Sequence, residues 1–590
     1  MRRAVWLILA IAINAIFASV SQAHTNSCIS STDGFWDEAR IWSLNKPPSI
    51  RQSAVLITNA ASETVTIDSI TATHFKSTLT ISNLNLAALS GTDTLYLDNT
   101  GTTALHILND LTIGITFNIF GDEGFGGGVL ISTNSTLVVD GLLGGQLVDD
   151  GTMVMTGGSL ITTNCSLQVA PAFDGLLIIS NGIVQARDVT IVGGGNTGTI
   201  DVIGGTMTLS SSLSVGDIGA LGNLLVANGA LLVVTNGETF IGGSSCSGIV
   251  TVSNATFLAA FVGLGGTKAD GGLVINDGTV TLSGALGIGF GDICGGSVSL
   301  NGGLLVVTND ATFVAGDQAD GEITIEDGLF LAREILVGSG IFSGGELTVN
   351  DGTAQLSSYL QVGSVGGLSQ GNVFVNGGQL VVTNGEIMIE FNSNITVSGG
   401  LLAANYIDVQ SRYFGGGTLS VSNASATAST GITLGDCAGN TFGYVTVDGG
   451  QLIVTNATGT GFIDVQNGQL VLSGGVLQVD KLVMTNTCSS FIHTGGTLIA
   501  GSVILDPNMF QITSVAQEGN DLRVTWLMAP GSTNALQVSS GDISGGYCTN
   551  GFTDIFVVTN NPTPGSLTNY LDIGAATNGP SRYYRARLAP

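Results

Sequence analysis

Residues 224–236 read LLVANGALLVVTN, and the same phrase returns as SVSLNGGLLVVTN at 297–309, NVFVNGGQLVVTN at 372–384 and YVTVDGGQLIVTN at 444–456. Each is a short alternating strand, a glycine-containing turn and a second alternating strand, recurring about every 24 residues. A unit this short cannot bury a core alone, so coil must stack on coil in a solenoid. The last turn residue traces the register from Ser135, Gly158, Gly182, Gly205 and Gly229 through Gly450, Gly468 and Gly496. Alternation sends Val, Ile and Leu inward and leaves Thr, Ser and Asn facing water. A third strand ends in Val-Gly or Ile-Gly, as at Val215-Gly216 and Val337-Gly338, before a loop of variable length.

Composition supports one long β core. Gly numbers 88 of 590 residues, Pro only 9, and charged residues make up 10%. That is the balance of β-branched strands and tight turns, the opposite of a disordered chain. The expected fold is all-β: a right-handed parallel β-helix of about 16 regular coils, roughly 75 Å long at the strand spacing, followed by a small β-sandwich.

Four segments follow. Residues 1–23 carry Arg2, Arg3, an apolar run and Ser21-Gln22-Ala23, which reads as a signal peptide cut at Ala23-His24. Residues 24–120 depart from the repeat and hold Trp36, Trp42 and Pro47-Pro48; they read as an N-terminal cap with the first irregular coils, an aromatic carbohydrate platform being the alternative. Residues 121–506 are the regular coils. In 507–590 five strands spaced by turns read as a β-sandwich module. Arg582, Arg585 and Arg587 near its end read as the outward face of a terminal strand, or alternatively as a sorting signal.

Net charge is −28 and becomes −30 once Arg2 and Arg3 are removed, which disfavours nucleic acid and anionic lipid as partners. No later segment stays apolar long enough to span a bilayer. The seven Cys are scattered singly. Cys246 and Cys294 share a phase but lie two coils apart, beyond the roughly 7 Å Cα reach of a disulfide. Buried thiols are therefore expected, not a disulfide framework.

The motif V-G-x(n)-G-x-L-x-V-x-G-G-x-L-x-V resembles the glycine-rich β-helix passengers of bacterial autotransporter-type adhesins. GFWDEARIWSLNKPPS at 34–49 looks like the start of large exported bacterial β-repeat proteins, and VTW, LQVSS, YLDIG and RYYRARL resemble a fibronectin-like terminal module. The resemblance implies export and a coiled fold but names no activity. About 80 residues follow the repeat, where an autotransporter passenger carries a larger translocator barrel; the attachment route stays open.

Catalysis needs convergent groups. The basic residues of the regular coils, Arg187, Lys268, Arg333, Arg412 and Lys481, stand about three coils or 14 Å apart, too far to share a lyase site. The adjacent acidic pair Asp149-Asp150 lies far from His493, the one His of those coils. No catalytic residue or cofactor is expected. For a metal, Asp292, Asp317 and Asp320 are the candidates for Ca²⁺, with ordinary Asp-Gly turn chemistry as the competing reading. The expected function is an exported, monomeric structural or adhesive solenoid that meets glycans or cell-surface proteins. The rivals are a β-helical polysaccharide lyase or glycosidase, and a passenger with a C-terminal secretion module.

Overall fold

The computed structural model describes residues 24–88, 91–117, 123–125, 127–142, 146–192, 197–217, 221–364, 369–410, 416–437, 439, 441–486, 488–505, 511–528, 533–541, 551–558, 567–577 and 581–589. The expected leader, Arg412 and Cys548 lie outside them. Strand accounts for 65% and helix for 2%. About 18 turns of parallel β-solenoid precede two small antiparallel sheets. The chain divides into two compact units, Met1–Gly237 and Glu238–Pro590, a boundary that falls inside the repeat.

In each unit a coil contributes a first, a second and a third strand, each bonded in parallel to its counterpart one coil away. In the second unit the first strands hold the inward ladder Leu273, Val298, Ile323, Leu347, Val373, Ile395 and Leu419 in direct register. All are buried. The turn column read from the sequence is also the structural one, because the residue after it begins every second strand: Thr136 opposes Ser159, then Ile183 and Thr206. Two positions slip. Leu231 begins its strand, so the turn ends at Ala230 and not at Gly229. Val476 opposes Gln451, so the turn ends at Gly475, whereas Gly468 opens a first strand. The G-Q-L-V-L run at Gly468 imitates the turn motif, and only its partner Gly443 reveals its place.

A second glycine column sets the coil geometry. Gly248, Gly271, Gly296, Gly321, Gly345 and Gly371 lie in register near the start of successive first strands. Each faces inward beneath the corner where a third strand ends. That corner residue adopts positive φ, 68° at Gly338, and donates its N–H to Val314 O one coil back (2.7 Å). A Cβ on Gly345 would lie 2.2 Å from Gly338 N, backbone that cannot move aside. Where the corner differs, at Glu390, the column holds Ser393 instead, and its Oγ accepts the Gly371 N–H (3.0 Å).

Outward faces are less uniform than expected. First strands do present polar columns such as Ser297, Ser299 and Asn301. Second strands present Leu304 and Val306, then Leu329 and Leu331, half-buried against their own neighbours. On a flat sheet each outward side chain leans on those one coil above and below, so aliphatic columns are tolerated without an interior position.

In the first unit coils begin at once. Asn26 opposes Val55, and Gly34 opposes Val65, within the segment read as the cap with the first irregular coils. Trp36 and Trp42 are 0% and 1% exposed and pack edge-to-face with centroids 5.3 Å apart. Trp36 Nε1 donates to Thr78 O and Trp42 Nε1 to Trp36 O. Rings so enclosed cannot stack on a sugar, so the aromatic platform is set aside in favour of the cap.

The thiol reading needs correction at one place. Cys28, Cys165, Cys246 and Cys294 are buried thiols, but Cys437 and Cys488 form a disulfide with Cα atoms 6.1 Å apart. They lie two coils apart, since Leu434 opposes Val465 and Asp464 opposes Val483. The intervening coil passes from Val465 to Gly468 through the tight turn Gln466-Asn467, with no protruding loop. The loops above and below therefore meet across it. Coil counting alone misses a bridge that depends on the length of the loop between.

At the C-terminus, Ile512–Glu518, Asp521–Leu527 and Leu567–Asp572 form one antiparallel sheet, and Thr553–Val558, Thr533–Ser540 and Arg582–Ala589 the other. Val524, Trp526, Met528 and Leu536 form their shared core. The terminal arginines are tied locally: Arg582 to Asp572 (2.8 Å), Arg587 to Asp554 (3.0 Å), and Arg585 over the Phe552 ring (4.2 Å).

Gly345→Ala is expected to cost about 1–3 kcal/mol through overpacking, read as a lower denaturation midpoint. An unchanged midpoint would remove the steric account of the glycine column. Cys437→Ser together with Cys488→Ser is expected to cost about 2–4 kcal/mol for a cross-link of this span. Dithiothreitol should lower the melting temperature of the unaltered protein by the same amount and leave the double variant unaffected.

Candidate functional site

Stacking brings together residues that are remote in sequence, and in the second unit it builds a groove on the outward face of the first strands. The groove encloses about 470 Å³ and is lined by Asp270, Ser297, Asp320, Glu322, Glu346 and Asn372 with the glycines between them. Along its edge Asp and Gly alternate in register: Asp270, Gly295, Asp320, Gly344. The small residue makes room for the carboxylate below it, and Asp270 Oδ1 accepts the Gly295 N–H at 3.1 Å. Glu322 and Glu346 stand directly opposite each other, one coil or about 4.8 Å apart. Each accepts from the Thr two residues on, Thr324 Oγ1 at 2.8 Å and Thr348 Oγ1 at 3.0 Å.

Beside the groove runs a polar ladder at the ends of the first strands. Asn301 Nδ2 donates to Asn276 Oδ1 (2.9 Å), Asn350 Nδ2 to Glu326 Oε1 (3.0 Å), Asn376 Nδ2 to Asn350 Oδ1 (2.9 Å) and Ser398 Oγ to Asn376 Oδ1 (3.0 Å). A parallel column links Asn394 to Asn372 at 3.2 Å. Chains of amides held at one strand spacing are rigid and leave regularly placed donors and acceptors for an outside partner.

The calcium candidates separate by role. Asp320 lines the groove, Asp317 Oδ1 caps the Ile341 N–H of the next loop (2.7 Å), and the Asp292 carbonyl accepts the Lys268 N–H (3.1 Å). Among the described residues no group of three or more His, Cys, Asp or Glu side chains is placed to hold a metal. The basic residues are occupied locally too. Arg187 pairs with Asp188 and the Asn164 carbonyl, and Arg333 with Glu334. His493 stacks on Phe491 and meets the Gly496 carbonyl at 3.3 Å. Glu322 and Glu346 were missed from sequence because acidic pairs were sought among neighbours in the chain. The signal was there in GEITIE and GELTVN, two first strands of equal phase.

Asp149-Asp150, the pair visible in sequence, has a different character. Asp149 occupies an inward position between Ile113 and Val169 and is fully buried. Burial pushes its carboxyl up to about 8, against a bond from the Gly151 N–H. Burial likewise raises Asp150, whose Oδ1 accepts the Ala172 and Phe173 N–H groups. On neighbouring coils nearer the N-terminus Glu63 and Asp93 are 2% and 0% exposed. Asp93 is pushed up to about 6, chiefly by burial, with the Asn59 N–H opposing and Glu63 adding repulsion. These groups are structural acids kept from water.

No protein-family model, curated protein or solved structure matches the chain.

A carboxyl raised in the folded state binds its proton more tightly there than in the unfolded chain. Its contribution is complete below about pH 4 and is lost as pH rises through the folded value. Stability of the first unit should therefore decline progressively above about pH 4, the Asp93 share levelling off near pH 6 and the Asp149 share near pH 8. Asp149→Asn should reduce the part of the decline that persists above about pH 6 in thermal melts taken from pH 4 to 9. A melt that stays level over that range would contradict the burial argument.

Proposed function

We propose that this protein is an exported structural or adhesive solenoid whose first-strand face binds glycans or the polar surface of another cell-surface protein. The observation that carries this reading is the polar ladder beside the open groove, bonded from Asn276 to Asn301 and again from Glu326 through Asn350 and Asn376 to Ser398. Sugars are recognised by fixed arrays of amides and carboxylates that match hydroxyl groups, and here such an array repeats with each coil. The Cys437–Cys488 bridge supports an oxidising compartment, in keeping with the leader read from the sequence.

A second reading is favoured by one specific pair. Glu322 and Glu346, about one strand spacing apart, fall near the separation of a retaining glycosidase, about 5–5.5 Å. No Arg, Lys or His lines the groove, which disfavours a lyase there.

Glycan-array binding by the purified protein separates the two. Binding should weaken about tenfold or more, the scale of one or two lost hydrogen bonds, in Asn350→Ala and Asn376→Ala, with the melting temperature held. Absence of any glycan or cell-surface ligand would refute adhesion. Release of reducing ends, abolished by Glu322→Gln or Glu346→Gln, would replace it with the hydrolase.

A further inference from the structure

The second strands of the second unit carry a face that the proposed function leaves unused. Its two outward columns run in unbroken register from Thr256 and Leu258 to Thr497 and Ile499. Not one Asp, Glu, Lys or Arg occupies either column. The chain as a whole carries 43 acidic and 15 basic residues, so this vacancy is not a matter of scarcity. On the first-strand face the equivalent columns include Glu322, Glu326, Glu346 and Asp448. On the third-strand face they include Glu386, Asp408 and Asp464. Leu304, Val306, Leu329 and Leu331 form an aliphatic block toward the N-terminal end of the neutral face, Val381, Leu401 and Ala403 a smaller one near its middle, and Thr, Gln and Ser fill most positions between. Charge returns past the strand ends, at Asp277, Asp327 and Asp351 in the turns before them and at Asp310, Arg333 and Asp480 after them.

We infer that this neutral second-strand face is a self-association surface, on which a second copy of the chain packs sheet against sheet. Self-packing about a two-fold axis requires a surface complementary to itself. A flat, uncharged array meets that condition, whereas an acidic face meeting its own copy repels. With a net charge of −28, two copies can approach without a like-charge penalty only through a face free of carboxylates. The size is sufficient. Ten strand spacings along the columns by four residues across give about 600 Å² per copy, or about 1,200 Å² in total, at the lower end of stable interfaces. The aliphatic rows would supply the dry patches of the interface and the Thr and Gln positions its polar contacts. This inference departs from the monomer expected from the sequence.

The test is the mass of the full chain in solution, by sedimentation velocity from about 1 to 100 μM, the range over which weak dimers form. Self-association predicts a concentration-dependent rise from 59.7 kDa toward twice that value, strengthened by added salt, which screens the residual repulsion. Leu329→Lys with Leu331→Lys should hold the protein as a monomer, while Thr324→Lys, on the first-strand face, should leave the dimer intact. Should the double variant melt early, Thr279→Lys with Thr281→Lys introduces the same repulsion without removing an aliphatic contact. A monomer at every concentration and salt would overturn the inference, as would a dimer indifferent to both lysine pairs. Adsorption of a monomer to crystalline polysaccharide through this face, abolished by the same lysines, would overturn it also.

Discussion

The structure depends on one close approach, repeated once per coil: the backbone corner that ends a third strand rests directly on the first strand of a neighbouring coil. Between Gly338 and Gly345 there is no space for a methyl group. That contact closes the triangle of three sheets around a core only one side chain deep. It also explains why the chain tolerates so much variation elsewhere. Loop lengths, outward side chains and even the identity of the inward aliphatics drift, while from Gly128 onward the residue under the corner is in most coils glycine. Ser393 and Ser489 show the allowed departure, a hydroxyl that replaces the lost packing with a hydrogen bond to nearby backbone.

Much of this was legible in the chain. The turn column read from Ser135 to Gly450 coincides with the start of the second strands apart from a single-residue slip at Gly229, because that signal is local: an αL turn residue followed by alternation. The misreading at Gly468 has the same cause, since a first strand opening on Gly looks like a turn when its partner Gly443 is out of view. What sequence reading could not supply was lateral. Glu322 beside Glu346, the bridge from Cys437 to Cys488 and the neutral columns beginning at Thr256 all exist only once coils are aligned. Their chemistry is written across residues about 24 positions apart, and each requires the register of every intervening coil to be known. The inside-outside rule failed only in part. It found the inward residues of both strands correctly, but by sending Val, Ile and Leu inward it left no place for Leu304 and Leu329, which are outward and aliphatic.

The three faces of the second unit consequently differ in physical kind. The first-strand face is hydrogen-bonding and acidic, the second neutral and partly aliphatic, the third mixed, with Tyr406, Asp408 and Phe462 among its outward residues. Division of labour of this sort is natural in a solenoid, where each face is an independent column of positions that mutation can alter without touching the core. In the first unit the contrast lies inside: near the N-terminus Glu63 and Asp93 hold the inward positions occupied further on by glycine. Asp93 accepts the Asn59 N–H there (2.7 Å) and burial raises both carboxyls, which ties the integrity of these coils to the acidity of their surroundings.

The Cys437–Cys488 bridge bears on how such a stack comes apart. A solenoid has no distant contacts, so under tension or thermal fraying its end coil peels first and each loss exposes the next. Peeling from the C-terminal side would release Thr497–Leu505 and Ser489–His493 and then meet the covalent tie at Cys488. From that point, the two coils between Cys437 and Cys488 stay tethered to the stack even when their strands separate. The bridge thus converts a zipper into a structure with a stop, and places the stop between the C-terminal sheets and the face built on the coils before it.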